Sequence, residues 1–193
     1  MKHRLTAATA AAWVAAAVAL PATAAAAVDS ANTSIPVDPT TQIEMHVNAN
    51  CVLAQARCFF DTRANLLTPD GPATFPQDVW ARQTITLRST GRDVWQEAEY
   101  SAPIGMPRET KGANQNNVLS KLFKTPSSNE ISITYFGGGP IERFATDGSS
   151  VPTDWSTGRA NTGADFIVCS QIQVVYGGVN LTAPTACAQT KFS

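Results

Sequence analysis

Short runs in which apolar and polar side chains alternate, cut at close intervals by glycine and proline, are what most constrain this chain. Ile43, Met45 and Val47 alternate with Glu44, His46 and Asn48. Between Val79 and Ser89, one face carries Ala81, Gln83, Ile85 and Leu87 and the other Trp80, Arg82, Thr84, Thr86 and Arg88. From Asp165 to Tyr176, Phe166, Val168, Ile172, Val174 and Tyr176 share a face that Ser170 interrupts. A period of two is the signature of half-buried strands, and it excludes long amphipathic helices, heptads and βαβ alternation.

Further extended stretches run from Cys58 to Leu67, Val94 to Ser101, Glu130 to Phe136, Ile141 to Ala145 and Val179 to Leu181. Thr68–Pro72, Thr90–Asp93, Gly137–Pro140 and Gly177–Gly178 supply turns. Val79–Ser89 and Val94–Ser101 read as a hairpin that sets Arg82 and Arg88 beside Glu97 and Glu99. Thr146 to Gly163 is polar and reads as turns. Val118, Leu119, Leu122 and Phe123 fall at helical spacing, so Asn114–Phe123 is expected as a short helix. The predicted fold is all-β: an antiparallel β-sandwich of about eight strands with one short helix, a closed barrel being the alternative.

The N-terminus points to export. Lys2, His3 and Arg4 precede an apolar, alanine-rich run from Ala7 to Leu20; Pro21 and the small residues Ala22–Ala26 follow. This is the three-part pattern of a cleavable secretory signal over residues 1–26. The apolar run is interrupted by Pro21, which argues against a retained anchor. Residues 27–41, rich in Ser, Thr, Asn, Pro and Asp, read as an extended, poorly ordered lead-in, with a single domain over 42–193. Charged residues make up only 15% of the chain, against roughly 25% in ordinary domains. The formal net charge is −1, and loss of Lys2 and Arg4 makes it two units more negative. Nucleic acid and anionic lipid are therefore disfavoured as partners.

Four cysteines, Cys51, Cys58, Cys169 and Cys187, form an even set in a chain read as exported, which implies disulfides. Their spacing favours two local bridges. Cys51 and Cys58 enclose only Val52–Arg57. A two-residue turn at Gly177–Gly178 sets Tyr176 opposite Val179 and leaves Cys169 one residue out of register with Cys187; a single bulge removes that offset. A metal site is not expected: no CxxC pair is present, and His46 is the one histidine beyond the signal.

Catalytic patterns are weak. No GxSxG elbow accompanies His46, which points outward on a strand. The Gly137–Gly139 run precedes Pro140 rather than a Lys-Ser/Thr pair, so it is no phosphate loop. Asp147, Asp154, Asp165 and Asn161 offer hard oxygens without the spacing of a calcium loop, and are expected as turn and cap residues. Glu97 and Glu99 share a face, as a glycosidase pair would, but a solvated surface explains them as well. Trp80, Trp95 and Trp155 lie beyond the signal; Trp95, beside the two glutamates, is the best candidate for stacking on a ligand.

The functional expectation is a secreted, non-enzymatic binding module without cofactor, using Trp95, Glu97, Glu99 and Arg82 toward a cell-surface, polysaccharide or protein partner. The alternatives are a small extracellular hydrolase built on Glu97 and Glu99, or a subunit of a surface or pore-like assembly.

Overall fold

The computed structural model describes residues 28–101, 114–115 and 118–193; the expected signal lies outside them. The strands are β1 (Val28–Pro36), β2 (Gln42–Val52), β3 (Arg57–Thr68), β4 (Gly71–Ala73), β5 (Trp80–Arg88), β6 (Val94–Ser101), β7 (Asn114–Gln115), β8 (Val118–Lys124), β9 (Ser128–Phe136), β10 (Ala145–Asp154), β11 (Asp165–Tyr176), β12 (Val179–Thr182) and β13 (Ala186–Lys191). The first sheet runs β1-β2-β3-β10-β6, with β4 on β3. The second runs β12-β11-β5-β9-β8-β7, with β13 also on β11. Pairing is antiparallel within both named sheets, which pack face to face as the expected sandwich.

The core is the inward half of each alternation. Ile43, Met45 and Val47 of β2 meet Ile85 and Leu87 of β5, Ile131 and Ile133 of β9, and Phe166, Val168 and Ile172 of β11 in one buried cluster. At its centre lies an amide. Gln83 is fully buried, and its Nε2 donates to Thr62 Oγ1 at 2.9 Å and Ser170 Oγ at 3.3 Å. Its Oε1 accepts from the Tyr135 hydroxyl at 2.9 Å. Burial raises the Tyr135 phenol above its ordinary range, so it remains a neutral donor. Thr62 belongs to the first sheet, while Gln83, Ser170 and Tyr135 belong to the second, so this network locks one sheet against the other.

Several local expectations give way to tertiary pairing. Val28–Pro36 is extended as expected, but it is a strand, paired residue for residue with β2 from Val28↔Asn50 to Pro36↔Gln42. Paired structure thus starts before Gln42. Where a helix is expected at Asn114–Phe123, the described residues are strand: β8 pairs with β9 from Val118↔Tyr135 to Lys124↔Asn129. Over so short a run both periods fit the apolar residues, and an open edge of β9 decides between them. Ile141–Phe144 is a 3-10 turn rather than a strand. The segment read as turns supplies β10, whose inward residues Thr146, Gly148, Ser150 and Pro152 are small or polar. Gly148 has a steric reason, since a Cβ there would sit 2.4 Å from the Phe60 ring and 2.5 Å from the Glu99 carbonyl.

The expected β5–β6 hairpin does not form. Both edges of β5 are taken by β9 and β11, so the chain crosses at Thr90–Asp93 to the other sheet, where β6 pairs with β10. Asp165 holds the crossing. Its carboxylate accepts from the Thr90 N–H and hydroxyl, both at 2.9 Å, and its carbonyl accepts from Ser89 Oγ.

Both local disulfides form, Cys51–Cys58 and Cys169–Cys187, with Cα–Cα distances of 3.9 and 4.0 Å. Each joins directly opposed residues of neighbouring strands. The Gly177–Gly178 register holds through Gln173↔Thr182, and the pairing then shifts by one residue to give Cys169↔Cys187.

Two outcomes are expected. Non-reducing peptide mapping should link Cys51 to Cys58 and Cys169 to Cys187; a link between the two pairs would refute this connectivity. Mild reduction with alkylation should label Cys169 and Cys187 first, because Cys187 is exposed while Cys51 and Cys58 are buried. Separately, Gln83→Ala should cost about 2–4 kcal/mol by chemical denaturation, since it removes the acceptor of the buried Tyr135 hydroxyl and the amide donor to Thr62 and Ser170.

Candidate functional site

The outward face of β6 presents Trp95, Glu97 and Glu99, because Val94, Gln96, Ala98 and Tyr100 turn inward. Pairing with β10 sets Thr153 beside Trp95, Val151 beside Glu97 and Ser149 beside Glu99. Arg57 reaches over from β3. Its Nη1 lies 3.6 Å from Glu99 Oε2 and donates to Ser149 Oγ at 2.9 Å. Arg57, Glu97, Glu99, Lys124 and Val151 line a shallow cavity of about 170 Å³.

Trp95 has a partner that sequence reasoning did not pair with it. Trp155 stacks on it with ring centroids 5.5 Å apart and an interplanar angle of 28°. Trp155 is fixed at three points: its N–H donates to the Asp93 carbonyl at 2.9 Å, its indole Nε1 donates to the Pro126 carbonyl at 3.0 Å, and one ring face meets Trp95. It still leaves 51% of its surface exposed. The result is a rigid aromatic platform at one end of the first sheet, next to the charged cavity.

The turn that carries Trp155 is built on Asp154. One carboxylate oxygen accepts from the N–H and hydroxyl of Ser156 and from the N–H and hydroxyl of Thr157, at 2.6–3.0 Å. These donors hold the carboxyl below its ordinary value, the Ser156 hydroxyl contributing most. Gly158 closes the turn at φ +64°.

Arg82 does not join this cluster. It lies on the outward face of the other sheet, where its Nε donates to Ser132 Oγ at 3.1 Å. The cause is the crossing connection that separates β5 from β6. The oxygen-rich residues are likewise dispersed. Asp154 caps its turn, Asp165 holds Thr90 and accepts from Gln189 at 2.7 Å, and Asn161 accepts from the Gly163 N–H. Among the described residues, no group of three or more His, Cys, Asp or Glu side chains is placed to hold a metal ion. His46 sits between Asn32, 2.9 Å from Nδ1, and Glu44, 3.4 Å from Nε2.

One feature of the first sheet escaped the sequence reading. Asp61 on β3 lies directly across from Asp147 on β10, and Asn48 donates to Asp61 at 2.8 Å. Together with Asn50 and Phe59 they line a cavity of about 380 Å³ on the same outer face as the tryptophans. The signal was hidden because Asp147 sits in the stretch read as turns.

No known family model matches this chain, and no curated protein is recognisably similar to it in sequence.

The Asp154 turn makes the platform sensitive to acid. A carboxyl whose folded pKa lies below its ordinary value of 3.8 contributes above that value and loses its contribution as the pH falls through the lowered one. Tryptophan fluorescence should therefore report loosening of the Trp95–Trp155 stack only below about pH 3.8. In Asp154→Asn, which keeps the accepting oxygen, that transition should disappear; its persistence would assign it to another group.

Proposed function

We propose that this protein is a secreted binding module that recognises a surface polysaccharide through the first sheet's outer face, with Trp95 and Trp155 as the platform. The observation that carries this reading is the stack itself. A tryptophan that is half exposed, yet held by a backbone hydrogen bond, an indole hydrogen bond and a neighbouring ring, costs little further ordering on binding and offers its free surface to a pyranose ring or another flat apolar group. Glu97, Arg57 and Lys124 supply donors and acceptors of both signs beside it.

Two further points support the reading. Two disulfides fit an oxidising compartment outside the cytoplasm. The first strand begins at Val28, so cleavage at Ala26 removes none of the described strands. Binding fits better than hydrolysis because Glu97 lies on an open sheet surface and Glu99 is engaged by Arg57, whereas a glycosidase pair flanks the bond it cleaves.

Co-sedimentation with insoluble peptidoglycan, chitin and cellulose tests this. At least one should retain the wild-type protein. Trp155→Ala should weaken that retention about tenfold or more, with little change in melting temperature. Undiminished retention in Trp155→Ala would remove the platform from the binding surface, and a large stability loss would make the stack a structural element.

A further inference from the structure

The second sheet carries a concavity on its outward face, on the side of the molecule opposite the tryptophans. Arg82 and Thr84 of β5, Glu130 of β9, Gln171 and Gln173 of β11 and Thr182 of β12 line about 350 Å³. The cavity crosses four adjacent strands, a span of about 14 Å at ordinary strand spacing.

Its hydrogen-bonding capacity is largely unspent. Arg82 uses Nε on Ser132 and has no described partner for its two terminal amino groups. Gln171 accepts from Thr185 through Oε1 and keeps its amide N–H groups. Gln173 donates to Asn180 through Nε2 and keeps its carbonyl. Glu130 is only partly exposed, and its carboxylate has no hydrogen bond or ion pair among the described residues. The lining therefore holds donors and acceptors in near balance, with one positive and one negative side chain that do not pair with each other. Along β5 and β9 the next outward pair is Trp80 and Phe136, of which Phe136 is 43% exposed.

We propose that this concavity is a second ligand site, for a neutral polyhydroxylated chain: a glycan without charged substituents. Sugar hydroxyls both donate and accept, which matches a surface offering amides, hydroxyls, a guanidinium and a carboxylate together. The charge balance gives an anionic or cationic polymer no advantage, and the Trp80–Phe136 row provides an apolar edge for a ring face. The site is independent of the tryptophan platform. With both in use, one molecule engages two chains from opposite sides and cross-links them.

Affinity electrophoresis decides the matter, with mixed-linkage β-glucan, xyloglucan, galactomannan, arabinoxylan and soluble starch as probes. The proteins compared are the wild type, Arg82→Ala/Gln173→Ala and Trp155→Ala. At least one polysaccharide should retard the wild type and Trp155→Ala alike, and the double variant should bind it about tenfold more weakly. Both substituted side chains point outward, and an unchanged melting temperature confirms that the double variant is folded. The proposal is overturned if no probe retards the wild type or if the double variant is retarded as strongly. Loss of retardation in Trp155→Ala overturns it as well, because it assigns the glycan to the other face.

Discussion

The Gln83 amide is the interaction on which the sandwich is organised. A buried primary amide without partners is costly, and apolar packing alone tolerates small slips of one sheet over the other. Here Nε2 reaches Thr62 and Ser170 while Oε1 accepts from Tyr135, so three hydroxyls on strands far apart in sequence are satisfied at once. Hydrogen bonds have narrower geometry than hydrophobic contacts, and this cluster therefore sets the relative placement of β3, β5, β9 and β11. A second amide repeats the device toward one end. Gln96 donates to Ser89 and accepts from Ser150, while Asn129 donates to the Gln96 carbonyl, tying β6, β10 and the end of β5 to β9.

Placement of the sheets governs the edges. On one side β1 and β13 approach each other, where Asp29 accepts from the Gln189 N–H at 2.8 Å and Thr33 donates to the Pro184 carbonyl at 2.6 Å. These bonds cover strand edges that would otherwise invite pairing with another chain. On the other side the Tyr100 hydroxyl meets that of Ser120, joining β6 to β8 across the sheets. Each sheet keeps one face for the core and one for solvent, so function falls to the two outer faces and the loops at their ends.

Those faces differ in chemistry. The first combines a fixed tryptophan pair with charged side chains and an opposed pair of aspartates. The second offers amides and hydroxyls around one arginine and one glutamate. A shared ligand surface drawing on Arg82 and the Glu97/Glu99 pair is impossible in this topology, because the sandwich core stands between them. Rigid display of outward groups on strands and on a short bonded turn, rather than on long loops, favours recognition of repeating surfaces over enclosure of a small substrate.

Much of the fold was legible in single strands. The inward and outward residues of β2, β5, β9 and β11 follow from alternation, and the Cys169–Cys187 register from one tight turn plus one bulge, because both depend on local geometry. β8 and β10 were not legible. Val118–Phe123 satisfies two periods, and the inward residues of β10 are small or polar, Gly148 because Phe60 and the Glu99 backbone press against it. The site divides in the same way. Trp95, Glu97 and Glu99 share a face by period alone, and the sequence determines that much. Only the tertiary structure decided that Trp155 stacks on Trp95 and that Arg82 lies on the opposite surface. Which strands become neighbours is settled by non-local pairing: once β9 and β11 occupy both edges of β5, the chain must cross to the other sheet.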